Sequence, residues 1–447
     1  MTPPHAAGSQ CDPVRPTLTP AAAAGIDWHC VAIGAGPAGA ATAIRLARHG
    51  LRVLLIDRSP MPRPKVCGCC LSPLAVAELA SLCPPDALPT PLPLATVRLL
   101  SAGGAARIPM AGGGVLSREA LDAALVLQAI DAGADWLPHM VAESIHDGTA
   151  ASGEKERLTL TARAAAPEPE AAVSLHARVA VIAAGLADTI RIVPAEDRTA
   201  TAGTPSRPSH QSARSRHVAA GSRIGLGTTL AATSSGFDPA VFNLPSGELV
   251  MAVDRHGYCG IVRLEDGRID LAAAVDRQLL GGDGGPAAAI TRLLHAAGAE
   301  RLVSAGGDRL QEAIASASFR ATPPLTHHSP RIAGTAQRIF RVGDAAGYVE
   351  PFTGEGIGWA LASGRILAAA LLADAGIGGP LAAADVAAAR YQQLHDRLFA
   401  PQHARCRRVA RGVRHPAVVA GAVRLANALP RAAAWALPRV TGAAGRV

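Results

Sequence analysis

Aromatic residues make up only 3% of this 447-residue chain, which leaves few rings for bases to stack on and argues against a nucleic-acid partner. Lysine is scarcer still: Lys65 and Lys155 are the only two, against 41 arginines. No stretch of 18 uncharged apolar residues occurs, so no membrane-crossing helix is expected, and no charged-then-apolar leader with a cleavage site opens the chain. The eight cysteines lack paired spacing, which points to a reduced, cytoplasmic protein rather than a disulfide framework. Cys67, Cys69 and Cys70 stand at C-x-C-C spacing with no second C-x-x-C pair and no nearby histidine, so no metal site is expected. Acidic residues are missing after Asp396. Ten arginines lie between Arg397 and Val447, and without that segment the formal charge falls from +8 to about −2, so the body of the protein is not basic.

What is present is an apolar content of 49%, ample for more than one core at this length. Trp28–Arg58 organises the chain. Cys30–Ile33 reads as a short buried strand; Gly34, Gly36 and Gly39 fill G-x-G-x-x-G; Ala40–His49 is helical and closed by Gly50; Val53–Ile56 is a second strand ending on Asp57. In this pattern Gly34 makes the turn, Gly36 admits a pyrophosphate to the backbone, and Gly39 lets the helix pack on the strand. The helix N-terminus then faces the phosphates, and Asp57 is placed to accept from a ribose. A bound dinucleotide is the expectation.

Residues 59–73 form a Pro- and Cys-rich loop in which Lys65 stands out. Ser117–Ala132 reads as a helix capped by Ser117, and strands are expected around Trp136–Ile145, Arg157–Arg163 and Val173–Ala183, the last ending on Gly185. Thr199–Ser222 reads as a polar surface insertion, and Arg223–Val275 as an antiparallel sheet with turns at Gly257 and Asp266-Gly267. Arg338–Leu372 offers a strand ending in Gly343-Asp344, a loop, and a helix; after Gly379 the chain reads as helices broken at Pro401, Pro416, Pro430 and Pro438. The expected class is α/β: a discontinuous Rossmann-type FAD-binding domain, an antiparallel substrate domain and a C-terminal helical segment. By residues these are a disordered tail (1–25), the first part of the cofactor domain (26–195, with part of the substrate sheet near 93–115), a flexible insertion (196–222), the substrate domain (223–330), the second part of the cofactor domain (331–380) and a helical region (381–447).

Taken together, Gly34–Gly39, Asp57 and the Gly343-Asp344 loop resemble the flavoprotein superfamily of para-hydroxybenzoate hydroxylase and geranylgeranyl reductase, the reductase branch most closely. Pro62, Lys65, Cys67 and Gly68 fill that branch's P-x-x-K-x-C-G loop. Gly343, Asp344, Ala345, Ala346, Gly347, Pro351, Gly354, Glu355, Gly356 and Ile357 match its GDAAG…P-x-x-G-E-G-I segment. The resemblance covers residues 28–375 and implies FAD, since NAD enzymes have no use for the second Gly-Asp loop. It places ribityl hydroxyls at Asp344 and the isoalloxazine along Pro351–Gly356, with Glu355 structural. Arg58, Arg118 and Gly185 join the candidate cofactor-binding set. Where the hydroxylases have Asp-Gly after the first domain this chain has Ala184-Gly185, with Asp188 three residues late, and Cys69-Cys70 stand where the reductases usually have glycines. The halogenases' tryptophan-rich motif is absent from the sequence.

Three activities remain open: reduction of a C=C bond in an apolar, isoprenoid or lipid-like substrate, with Cys67 and Lys65 as catalytic candidates; hydroxylation of an aromatic or alkyl-phenolic compound; and non-redox chemistry like that of carotenoid cyclases. The electron donor stays open between NAD(P)H and ferredoxin. For residues 397–447 two readings stand, peripheral contact with an anionic membrane surface or a helical pair packed on the substrate domain.

Overall fold

The computed structural model describes residues 12–147, 157–165, 172–193, 217–231, 244–281, 284–299, 307–328, 338–350, 352–373 and 379–441. Its ten helices are α1 (Pro20–Ala24), α2 (Pro37–Ala47), α3 (Pro73–Leu82), α4 (Arg118–Asp131), α5 (Gly285–Ala296), α6 (Gly307–Ser316), α7 (Gly356–Leu372), α8 (Ala384–Gly412), α9 (Pro416–Ala428) and α10 (Pro430–Thr441).

The first sheet is built on Asp27–Ile33, which pairs in parallel with Val53–Ile56 on one side and Val173–Ile182 on the other, Val31 standing opposite both Leu54 and Ala180. Val53–Ile56 is buried throughout, as expected of a parallel strand covered on both faces. Ile339–Arg341 returns from far along the chain to pair in parallel with Val173–Ile182, Phe340 opposite Val181, so the domain is discontinuous. On one face of the sheet α2 lies against α7 so closely that a Cβ at Gly364 would stand 2.7 Å from the Ala38 carbonyl.

The second sheet runs, in spatial order, Arg320–Pro324, Ile224–Leu230, Ile269–Val275, Gly257–Arg263, Glu248–Asp254, Leu92–Ser101, Gly104–Val115 and Cys70–Leu71. It is antiparallel except where Glu248–Asp254 meets Leu92–Ser101 in parallel, and it includes the 93–115 segment. Arg255-His256 makes the first hairpin turn, with Gly257 opening the next strand, and Gly267 (φ +87°) makes the second.

Three expectations need correction. Residues 12–25 are not a disordered tail. Val14 is buried and its N–H donates to Met61 O, Thr17 Oγ1 donates to Asp135, and Trp28 Nε1 donates to the carbonyl of Ala23, which is itself buried. Pro401 does not break α8, because Phe399 and Cys406 on either side are buried against the body and hold the helix through the missing N–H. Pro438 likewise sits inside α10, whereas Pro416 and Pro430 open helices, where a proline loses no bond. Of the expected insertion (196–222), residues 196–216 lie outside the described residues; His217-Val218 pairs with His327-His328.

Candidate functional site

The turn after the first strand shows why three glycines stand there. Gly34 sits at φ +107°, and a Cβ would fall 2.4 Å from the Ala183 carbonyl oxygen; at Gly39 one would fall 1.9 Å from that of Gly34. Gly36 differs. Its backbone is ordinary (φ −77°), and a Cβ would look into open space 3.9 Å from Arg118 Nη2 and 4.0 Å from Lys65 Nζ. Gly36 is also the N-cap of α2, with no side chain bonding the first amides, so they are left for a ligand.

These residues open onto a cavity of about 670 Å³ lying between the two sheets. One end is basic and glycine-rich, with Gly34, Gly36, Asp57, Arg58, Arg63 and Lys65. The other is apolar, with Leu249, Met251, Tyr258, Leu325 and Phe352. Gly185 (φ +65°) faces the middle, where a Cβ would lie 3.6 Å from Lys65 Nζ. Asp344, Gly354, Gly356 and Ile357 line the same space; Gly343 packs behind them, and Pro351 lies outside the described residues. The N-terminus of α7 carries no side-chain cap and lies at this wall. Glu355 is buried, bonded to Ser72, and pushed by burial to about 7, which suits a packing role.

Asp57 is occupied by the protein. Its Oδ2 accepts from Ala35 N (2.8 Å) and Arg63 Nη2 (2.8 Å), and Oδ1 from Ser59 N (3.0 Å). The carboxylate thus ties the glycine turn to the loop that follows, and a ribose hydroxyl would use the remaining lone pair on Oδ1. Asp188 is bonded to Arg341 and to Ile190 N, so it does not stand in for the missing Asp-Gly.

The second cluster surrounds Cys67. Arg118, buried at the first position of α4, is clamped by Asp122 through two bonds of 2.9 and 2.7 Å. That pair offsets the cost of a cation at a helix N-terminus. Ser117 caps the helix by accepting from Ala120 N. The Cys69 thiol, first, and the Arg118 guanidinium hold Cys67 down at about 6 against the opposing effect of burial. Behind them Asp270 is raised well above the usual carboxylate range, by burial first and then by the Cys67 charge. Lys65 is lowered, by burial first and then by Arg118 and Arg63. Cys69 adopts a left-handed backbone (φ +53°), which directs its thiol back toward Cys67.

Arg63, Asp270 and the place of Cys69 beside the Cys67 thiol are marked by no motif in the sequence. Asp270 alone left a trace, an acid at an inward position of the apolar strand IDLAAAV. Among the described residues no group of three metal-binding side chains occurs.

A thiol held near 6 has a direct chemical signature. Labelling of Cys67 by iodoacetamide should rise with a midpoint near pH 6, against about 8.5 for an ordinary cysteine. Arg118→Gln should move that midpoint upward. Peptide mass spectrometry across a pH series reads both, and a wild-type midpoint at or above 8 would refute the assignment.

The loop facing the apolar end is pinned by a buried cation. Arg223 donates to Glu350 (3.1 Å), Asp276 (3.3 Å) and the Arg255 carbonyl (3.1 Å), with its guanidinium carbon 5.5 Å from the Tyr258 ring centroid. Arg414, just beyond α8, donates to the same Asp276 at 2.9 Å.

The NAD(P)-binding Rossmann-like domain family matches residues 33–73. Menaquinone reductase of Mycobacterium tuberculosis is 37% identical over 122 residues, 26% of this chain and 30% of that protein. Menaquinone reductase of Mycolicibacterium smegmatis is 42% identical over 82 residues, 18% of this chain and 20% of that protein. The chain therefore spans less than a third of the length of the curated relatives it matches. Among solved structures, a flavin-dependent brominase superposes with a TM-score of 0.63 at 16% identity, covering 94% of each chain. A geranylgeranyl bacteriochlorophyll reductase-like protein from Thermoplasma acidophilum gives 0.62 at 17%, covering 89% of this chain and 91% of that one. From the glycine turn through the returning strand to α7, the chain has the fold of the FAD-dependent oxidoreductases.

Proposed function

We propose that this protein is an FAD-dependent reductase of a carbon–carbon double bond in an apolar, isoprenoid or lipid-like substrate. The observation that carries the reading is the Cys67–Arg118–Cys69–Asp270 cluster, set beside a cavity whose one end is basic and whose other is apolar. The residues present fit FAD. An uncapped helix N-terminus at Gly36 and the cations there (Lys65, Arg63, Arg118) suit a pyrophosphate, and an anion at that place offsets the repulsion from Arg118 and Arg63 that, after burial, lowers Lys65. Asp57 would serve the ribose, Asp344 the ribityl chain, and the α7 N-terminus the ring's N1–C2=O edge. When bound, FAD supplies a hydride from its N5.

The chain's own part is the proton. Cys67 lines the cavity and delivers a proton to the carbon opposite the one that receives the hydride. Cys69, its thiol raised further by Cys67 and by burial, and Asp270, raised above the usual carboxylate range by burial first, stand behind it as the groups that resupply the proton. Leu249, Met251, Tyr258 and Phe352 exclude water and seat the apolar substrate. Two relatives matched over part of their length are menaquinone reductases by name, which supports a reductive reaction on a lipid-soluble compound. The donor, NAD(P)H or ferredoxin, is tested with the reaction. In stopped-flow reduction with NADH, NADPH and reduced ferredoxin, one donor should bleach the flavin, and without air the product should gain two hydrogens. Product that forms only in air, with matching oxygen uptake, would overturn this in favour of a monooxygenase.

A further inference from the structure

The last two helices carry an apolar surface that the fold leaves outside. Of the eight large apolar side chains that stand exposed among the described residues, Val418, Leu425, Leu429 and Trp435 fall within one short stretch, each more than half exposed. The spacing of Val418 and Leu425 puts them on one face of α9, with Leu429 at its C-cap just beyond. A neighbouring face is spent: Val419, Val423 and Ala426 are buried, the last two against Ala106 and Ile108 of the second sheet. The outer stripe is therefore held in place by a packed underside. Arg407, Arg408 and Arg411 are exposed on the last turns of α8, Arg424 on α9 and Arg431 on α10, and the sequence has no acid after Asp396 to balance them.

These helices also touch the cavity wall. Val409, Val413 and Val419 pack into the cluster containing Leu249, Met251, Tyr258, Leu325 and Phe352, which line the cavity's apolar end. The exposed stripe lies on the outside of the elements that roof the apolar end from within.

We propose that α9 and α10 form a docking surface for an anionic lipid bilayer, lying in its interface without crossing it. Among the described residues no helix is long and apolar enough to span one. Apolar side chains flanked by arginine and a tryptophan are the composition that settles at the headgroup boundary. A second copy of the chain is the poorer occupant, since a symmetric contact would set arginines against arginines. The proposal stands independently of the reaction in the cavity.

The test is co-sedimentation of the full chain with vesicles of phosphatidylcholine alone or mixed with phosphatidylglycerol. Binding should favour the mixed vesicles by more than tenfold and weaken in high salt, because each arginine near an anionic surface strengthens binding about fivefold. Leu425→Gln with Trp435→Gln should lower partitioning at least tenfold. Melting temperature and flavin content should not change, as both side chains lie outside the packed core. Binding to neither vesicle, or equal binding to both, overturns the proposal. So does a dimer, seen without lipid, that the same substitutions dissociate.

Discussion

Replacing Cys67 with serine should leave a folded, flavin-loaded protein whose turnover is about 10²–10⁴-fold lower, the usual range for loss of a positioned acid. Serine keeps the size of the side chain and its bond to Arg118, so it removes little except a group that titrates near neutral pH. The pH profile separates chemistry from packing. Cys67 has a depressed value near 6, so its proton is lost as pH rises through that value, and unaided turnover would fall from pH 6 upward. Cys69→Ala, which removes the neighbouring thiol, should raise the Cys67 midpoint and so move that fall to higher pH. Cys70 is itself raised by burial and is less intimately placed, so Cys70→Ser should be mild. A Cys67→Ser variant with wild-type turnover would remove the thiol from the mechanism, and a variant slowed by the same factor at every pH, keeping the wild-type fall above pH 6, would mark it as a packing residue.

The second large effect is expected at Gly36. Gly36→Val should fold normally, because the backbone there is of ordinary conformation and the nearest atoms to a new Cβ are 3.9 and 4.0 Å away. Its methyl groups, however, would fill the space over the α2 amides and between Arg118 and Lys65. Affinity for FAD should drop about 10²–10³-fold, equivalent to about 3–4 kcal/mol, and the protein should purify colourless. Gly39→Val is the contrasting variant: its Cβ meets the Gly34 carbonyl at 1.9 Å, so it should fail to fold rather than fold empty. Fluorescence titration with FAD, beside thermal melts of both variants, measures the difference. A yellow Gly36→Val protein with wild-type affinity would put the pyrophosphate elsewhere.

How much of this was legible in the sequence depended on the distance over which each signal acts. The glycine turn is local, and its three positions carry their geometric reasons within six residues. The long returns were legible where a motif marked them, as at Gly343-Asp344. What surrounds Cys67 was not, because Arg118 and Asp270 reach it from α4 and from the second sheet, and no spacing rule links residues so far apart. Arg223 was read as the start of an ordinary strand, yet it is a fully buried cation that ties Glu350 to Asp276. At Pro401 the local rule lost to packing on both sides of it, while at Pro416 and Pro430 it held because those prolines begin helices.

The returning strand has a further consequence, for the order in which the molecule can be made. Gly343, Asp344 and α7 leave the ribosome about 300 residues after the glycine turn, which at ~5–20 residues per second is roughly 15–60 s of synthesis. From its own synthesis until residue 339 emerges, the Val173–Ile182 edge where Ile339–Arg341 will dock is uncovered, as is the face of α2 that will receive Gly364. A cofactor arriving in that window would find half a site. Loading is thus tied to the synthesis of residues 339–372, and a nascent chain stalled before residue 339 should present an unpaired apolar strand and helix face to chaperones rather than a holoprotein.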